Sequence, residues 1–389
     1  MHIVHLIQSA TQLYGAERCV LLEAQALLQR GHSVHGLLVH ETRMGEQAGR
    51  LEAELQLLGV PTSRVLSTRQ VSLQLLTGLA QALRALRPDV VHSHSMKTDV
   101  LAAPLCRLLR LPLCIEVHGY LHPDDDPRVR LYERLDQVAL RLADAAIVLS
   151  RDYHAEVRGY GVPAARIHLC PSGIDVSGLR AQIGQRSVRA ELNLPPLGQG
   201  PLVLGMVARL SAEKGHTHFL HSLRALRQQG QDVVGVLFGE GPLREVLQQE
   251  VLALGLTEFV RFAGYIPQVA DAYASLDVLV SCSRFEGLPL NLIEAMALGI
   301  PVVAMATGGC TDILADGECG RLVKRGDGDA LSAALLQVCQ DAPLRARMAL
   351  AGARRADAHF SLPAWASRIE QVYAAAISRR RPRQAGAGK

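Results

Sequence analysis

Short apolar runs alternate with longer amphipathic stretches along almost the whole chain, and this rhythm restricts the fold more than any other feature. Through residues 1–170 the runs His2–Ile7, Ser33–Val39, Asp89–His94, Leu113–Val117, Ala145–Leu149 and Ile167–Cys170 read as strands, with helical patterns between them. A second series follows at Leu202–Ala208, Val233–Phe238, Phe259–Phe262, Val278–Ser281, Pro301–Ala304 and Gly320–Val323, with helices expected at about 215–229, 241–254, 287–298 and 327–340. Continuous apolar runs bounded by polar turns suit strands buried on both faces. That burial calls for parallel sheets flanked by helices.

The expected class is therefore α/β, with two Rossmann-like domains in tandem. The first is expected over 1–193, a linker over the Pro- and Gly-rich Leu194–Pro201, and the second over 202–361. A helix over 362–378, with Trp365, Ile369, Val372 and Tyr373 on one stripe, is expected to cross back to the first domain, and a basic disordered tail to occupy 379–389. With 389 residues the chain can bury sizeable cores, and an aromatic fraction of 4% argues against an all-β sandwich.

Charge is distributed unevenly. Residues 1–190 carry 21 basic and 18 acidic residues, residues 191–378 carry 15 and 19, and the remaining five bases (Arg379, Arg380, Arg381, Arg383, Lys389) follow Ser378 without an acid. A basic first half and tail suit an anionic partner, whether a membrane surface, a phosphorylated lipid or a nucleic acid. The eight cysteines form no Cys-x-x-Cys pair and several sit in apolar runs, so they read as buried thiols of a reducing compartment. The N-terminus lacks a basic leader and no run approaches the roughly 18 apolar residues of a membrane span. The expected location is cytoplasmic, with at most peripheral contact at the inner face of the membrane.

In open parallel sheets ligands sit beyond the carboxyl ends of the strands, so functional residues should follow strands, and two facing domains would place substrate in a cleft. The most informative such segment is SCSRFEGLPLNLIEAMALGIPVVA (281–304), where seven residues separate Glu286 from Glu294 and Gly287 is expected to open a helix ending near Gly299. Glu294 would then lie about two turns into that helix, suited to accept from vicinal hydroxyls such as a ribose, while amides around Gly287–Leu290 would face an anion.

This segment resembles the signature of family 4 retaining glycosyltransferases of the GT-B fold. Other landmarks are similar and in order: GMVARLSAEKGHTHFL (205–220), GEGP (239–242), PSGIDV (171–176), PDVVHSH (88–94), VHGY (117–120) and GGCTDILADGECGRLV (308–323). The resemblance implies transfer of a hexosyl group from a nucleoside diphosphate sugar to a glycan or lipid-linked acceptor, in cell-envelope polysaccharide or glycolipid synthesis. It implies Arg209 and Lys214 as cations on the diphosphate, Glu286 and His118 as groups at the sugar, and Gly15, Ala16, Gly239, Gly287, Leu288, Leu290 and Glu294 as further donor contacts. No metal or other cofactor is expected, and no nucleic-acid partner. The sequence departs from the family pattern at Gly15, where two glycines are common, at Ser172, where asparagine is usual, and at Asp312, which replaces a glutamate.

Other readings compete. His216, His218 and His221 lie within six residues, but without a His-Glu-x-x-His pattern or a nearby cysteine they read as solvent-facing. Asp124–Asp126 contains an Asp-x-Asp that could hold magnesium and diphosphate, although Pro127 follows it. A dinucleotide oxidoreductase would need Gly-x-Gly-x-x-Gly where only Gly15 stands. A GT-B epimerase, a phosphorylase, and a noncatalytic nucleotide-sugar-binding module are the remaining alternatives. His92 and His94 alternate on their strand, are read as facing opposite sides, and are assigned structural roles.

Overall fold

The computed structural model describes residues 1–9, 13, 15–42, 49–68, 72–118 and 127–380. Two compact units divide the chain, Met1–Gly173 with Leu362–Lys389, and Ile174–Ser361.

The first unit is built on β1 (His2–Gln8), β2 (Ser33–Glu41), β3 (Thr62–Ser67), β4 (Val90–Ser93), β5 (Leu113–Val117), β6 (Ala145–Val148) and β7 (Ile167–Leu169). They form one parallel sheet in the order β3-β2-β1-β4-β5-β6-β7. The central strands β4, β5 and β6 are buried throughout, which explains their uninterrupted apolar runs. β3 escapes the sequence reading for the same reason in reverse. It is an edge strand, TSRVLS, only partly buried, and needs no apolar run.

The second unit repeats the plan with β8 (Leu202–Val207), β9 (Val233–Phe238), β10 (Val260–Gly264), β11 (Val278–Ser281), β12 (Val302–Met305) and β13 (Arg321–Val323), in the order β10-β9-β8-β11-β12-β13 and all parallel. In each sheet strand order reverses once, between β1 and β4 and between β8 and β11. This switch point opens a crevice at the strand ends where ligands of doubly wound sheets bind.

The domain boundary differs from the sequence expectation. Residues 174–193 belong to the second unit, because Val176, Leu179 and Val188 share a core with Ile293 and Phe360, and Leu194, inside the supposed linker, is also buried there. Arg180 fixes this segment by donating to the Ala297 carbonyl at 2.9 Å and to Asp357 at 2.9 Å. The chain segments entering and leaving this unit run side by side, with the Ile174 amide donating to Phe360 O at 2.7 Å.

The final helix, Leu362–Arg380, buries Trp365, Ile369, Val372 and Tyr373 in the first unit against the helix Gly15–Gln29. It runs past the residue expected to start a disordered tail: Arg379 donates to the Asp144 carbonyl at 2.6 Å and Arg380 to the Asp144 carboxylate at 2.7 Å. Residues 381–389 lie outside the described residues. All eight cysteines are free and seven are buried. Among the described residues no helix is long and apolar enough to cross a membrane.

Candidate active site

In the second unit three loops meet at the switch point. The loop after β8 ends at Gly215, whose φ of +67° belongs to the left-handed region, and a Cβ there would stand 2.2 Å from the Cys282 carbonyl oxygen. Only glycine lets this loop touch the one after β11, and the Arg284 amide seals the contact by donating to Glu213 O at 2.7 Å. The consequence is that Lys214 Nζ sits 2.7 Å from Glu286 Oε1, in a pair whose side chains are 23% and 11% exposed. The loop after β12 closes from the other side. Gly308 has φ +47°, a Cβ on it would overlap Glu286 O at 1.6 Å, and the Gly309 amide donates to Gly287 O at 3.0 Å.

Arg209 lies on the exposed rim, its side chain 66% accessible and bonded to Glu213 at 2.8 Å. Burial opposes the charge on Glu213, but hydrogen bonds from Arg209 and Ser211 outweigh it and hold the carboxyl at about 2. Gly239 follows β9 directly, and its amide donates to Gly264 O at 2.8 Å. Beside the Glu286 loop a pocket of about 450 Å³ has Arg284, Phe285 and Arg325 in its lining, which gives that side a cationic rim.

The signature helix is shorter than its sequence suggests. It spans Leu290–Ala297, because Pro289 lacks an N–H and biases Leu288 away from helical backbone, so Gly287 and Leu288 belong to the preceding loop. Glu294 is therefore just over one turn in, not two. It is 5% exposed and its Oε2 accepts from the Tyr273 hydroxyl at 2.7 Å. Asn291 ties the start of this helix to β8, donating to Val207 O at 3.1 Å.

The histidines after Gly215 also differ from expectation. His221 is exposed and lies 3.5 Å from Glu250, but His216 is buried, and desolvation lowers its pKa to about 4.

In the first unit the site residues gather at the corresponding strand ends. Gly15 and Ala16 open the helix that follows β1, and a Cβ on Gly15 would meet nothing within 4 Å. His118 follows β5; desolvation lowers its pKa. Sequence reasoning missed the polar cluster behind it: His5, Glu23, His92, His94, Glu116 and Tyr373. His92 and His94 do not face opposite sides; two residues apart they share one face, and their rings lie 4.0 Å apart. His5 Nδ1 is 2.8 Å from His94 Nε2, His92 Nδ1 is 3.1 Å from Glu23 Oε1, and the Tyr373 hydroxyl donates to that same oxygen at 2.5 Å. Desolvation lowers His5 and His92 to about 3 and pushes Glu116 up to about 7. Within two overlapping groups of these residues donor atoms lie within 4.8 Å of one another, close enough to share protons or a cation. The buried Glu23 and Glu116 gave a signal in the sequence only as charges inside apolar patterns. Asp124–Asp126 and Gly119–Tyr120 lie outside the described residues.

Known proteins resemble this chain. Residues 14–177 match the family described as Glycosyltransferase Family 4 and residues 192–355 match Glycosyl transferases group 1. The chain is 33% identical over 284 residues to 2-deoxystreptamine N-acetyl-D-glucosaminyltransferase of Streptomyces fradiae, covering 69% of this chain and 66% of that relative. It is 31% identical to D-inositol 3-phosphate glycosyltransferase of Streptomyces avermitilis, over 79% of this chain and 70% of the relative. Among solved structures, Anabaena HepE in complex with UDP superposes with a TM-score of 0.81 at 22% identity, covering 96% of this chain and all of that one. The chain belongs to glycosyltransferase family 4, and its two Rossmann-like units are those of the GT-B fold.

Proposed function

We propose that the protein transfers a hexosyl group, with retention of anomeric configuration, from a nucleoside diphosphate sugar to a glycan or lipid-linked acceptor in cell-envelope polysaccharide or glycolipid synthesis. The observation that carries the reading is the Lys214–Glu286 pair, a cation and a carboxylate 2.7 Å apart at the switch point of the second unit. Cleavage of the glycosidic bond leaves negative charge on the diphosphate. Lys214 and Arg209 meet that charge without needing a metal, and stabilising the leaving group is the main catalytic contribution. Glu286 and His118 place the sugar as its anomeric centre becomes electron-poor. Gly239, Gly287, Leu288 and Leu290 approach the donor, Gly15 and Ala16 its phosphates, and Glu294, oriented by Tyr273, takes the ribose hydroxyls.

The two relatives named above act on unlike acceptors, so family membership leaves the acceptor open. The deciding experiment incubates the purified protein with a panel of nucleotide sugars and lipid-linked or free glycan acceptors, and measures nucleotide release and product anomeric configuration. Release of nucleoside diphosphate coupled to glycoside formation supports transfer. Nucleotide binding without turnover on any pair refutes it in favour of a binding module.

A further inference from the structure

The buried carboxylate of Glu116 has no part in the reading above, yet its surroundings are specific. It lies on β5 two residues before His118, so both side chains leave the chain on one face. Its Oε2 is 3.0 Å from His94 Nδ1, 3.6 Å from His118 Nε2 and 3.7 Å from His92 Nε2. The Nε2 atoms of His92 and His118 are buried and make no hydrogen bond.

With Glu116 and Glu23 ionised, hydrogen bonding at the other ring atoms assigns the protons. His94 Nδ1–H donates to Glu116, so His94 Nε2 accepts from His5 Nδ1–H at 2.8 Å, and His5 Nε2 is left bare, as it is found. The Tyr373 hydroxyl gives its proton to Glu23, so His92, whose Nδ1 faces both groups, carries its own proton on Nδ1 and turns a lone pair toward Glu116. His118 is the neighbour left to offer Oε2 a second N–H. Its Nε2 is buried, while the side chain as a whole is 19% exposed.

We propose that Glu116 is a positioning residue that holds His118 as the Nε2–H tautomer, so that Nδ1 presents a lone pair to a hydroxyl of the donor sugar. The part played by the sugar rests on the function proposed above. The tautomer rests on the first unit alone. At 3.6 Å the Glu116–His118 contact is longer than a hydrogen bond, and the carboxylate acts on the ring through its charge.

The titratable groups around Glu116 and His118 are His5 on β1, Cys19 and Glu23 on the first helix, His92 and His94 at β4, Asp99 on the helix Met96–Leu109, Cys170 after β7, and Tyr373 on the last helix. Desolvation holds these imidazoles neutral, while burial pushes Glu116 up to about 7. Above that pH the negative carboxylate, 3.6 Å away, draws the His118 proton to Nε2 by its charge. Below it that attraction is lost and the His118 proton moves to Nδ1.

The test is long-range ¹H–¹⁵N NMR on histidine-labelled full-length protein, with His118 assigned by the signal lost in His118→Asn. At about pH 8.5 the His118 ring is expected as Nε2–H, converting as pH falls through the Glu116 transition. In Glu116→Gln the pH-dependent conversion should vanish. Turnover should drop on the order of 10- to 100-fold, as for other residues that orient a histidine, with nucleotide affinity unchanged. Nδ1–H in the wild type at about pH 8.5 would overturn the proposal, as would identical His118 titrations in wild type and Glu116→Gln. One equivalent of transition metal in the purified protein would also overturn it, since a cation would take the facing lone pairs. If Glu116→Gln fails to fold, the wild-type titration alone decides. If no nucleotide sugar is turned over, the function proposed above fails while the NMR result still stands.

Discussion

Lys214 and Glu286 stand 72 positions apart in the sequence and 2.7 Å apart in the second unit. Their meeting follows from strand order. β8 and β11 are neighbours in the sheet although two strands separate them in the chain, so the loops leaving them run alongside each other.

Replacing Lys214 by Ala should reduce turnover about a hundred- to a thousandfold, on the order of 2.7–4 kcal/mol, because charge on the diphosphate grows as the bond breaks and the cation acts most strongly in the transition state. Glu286→Ala should also lower turnover while nucleoside diphosphate still binds. Steady-state kinetics with calorimetric nucleotide titration separates these effects. Loss of nucleotide binding in Glu286→Ala would reassign that carboxylate to the nucleotide.

Glu294→Ala should raise the donor KM more than it lowers kcat, since a ribose contact is about equal in ground and transition states. Tyr273→Phe removes only the hydroxyl that orients Glu294 at 2.7 Å, and should weaken donor binding by about 1 kcal/mol, a factor near five. A turnover defect at unchanged donor affinity in Glu294→Ala contradicts the ribose role.

Two glycines should respond oppositely to Ala. At Gly308 the new methyl would overlap Glu286 O at 1.6 Å in left-handed backbone, so unfolding free energy should fall by about 1–3 kcal/mol and activity with it. At Gly15 a methyl has open space, so stability should hold while donor affinity drops if phosphates approach there. Denaturant unfolding of both variants beside donor binding makes the comparison.

The histidine cluster predicts acid sensitivity. His5 and His92 stay neutral in the folded chain down to about 3, and desolvation lowers His94 and His118 as well. Unfolding frees them to titrate near 6.5, so below that pH the unfolded state binds more protons. The stability they contribute is present above 6.5 and is lost as pH falls toward the folded values, each histidine contributing up to about 1.4 kcal/mol per pH unit. Glu116, raised to about 7, and Asp99, also pushed up by burial, have the opposite sign, stabilising at low pH and losing that contribution as pH rises, but they are two groups against four. Urea unfolding between about pH 5 and 8 should show the midpoint rising with pH, and a flat profile would mean the imidazoles are charged in the fold.

Removing residues 381–389 deletes three cations, Arg381, Arg383 and Lys389, and spares Arg380, which is bonded to Asp144. At about 1 kcal/mol per base near an anionic surface, the deletion should cut salt-sensitive binding to phosphatidylserine vesicles on the order of a hundredfold and leave the unfolding midpoint unchanged. Co-sedimentation that ignores both salt and the deletion would exclude this attachment.

The amino-acid sequence by itself determined the two-sheet α/β plan, because strands buried on both faces must be apolar along their length: Leu113–Val117, Val233–Phe238 and Val278–Ser281 have the limits expected of them. The stripe of Trp365, Ile369, Val372 and Tyr373 was equally legible, since helical periodicity is local. Lys214, Glu286, Glu294 and His118 could be named because they stand in recognisable segments beside strand ends. Tertiary structure alone decided the rest. The edge strand Thr62–Ser67 carries no apolar run, and residues 174–193 join the second unit through core contacts distant in sequence. The Glu116 cluster draws its members from β1, β4, β5, the first helix and the last helix, and the hydrogen bond of Tyr373 to Glu23 alone spans 350 positions. Each is an ordinary charge in its own segment. Only burial in one desolvated space makes their protons interdependent, because the cost of an unpaired charge there depends on every neighbour the fold has brought within reach.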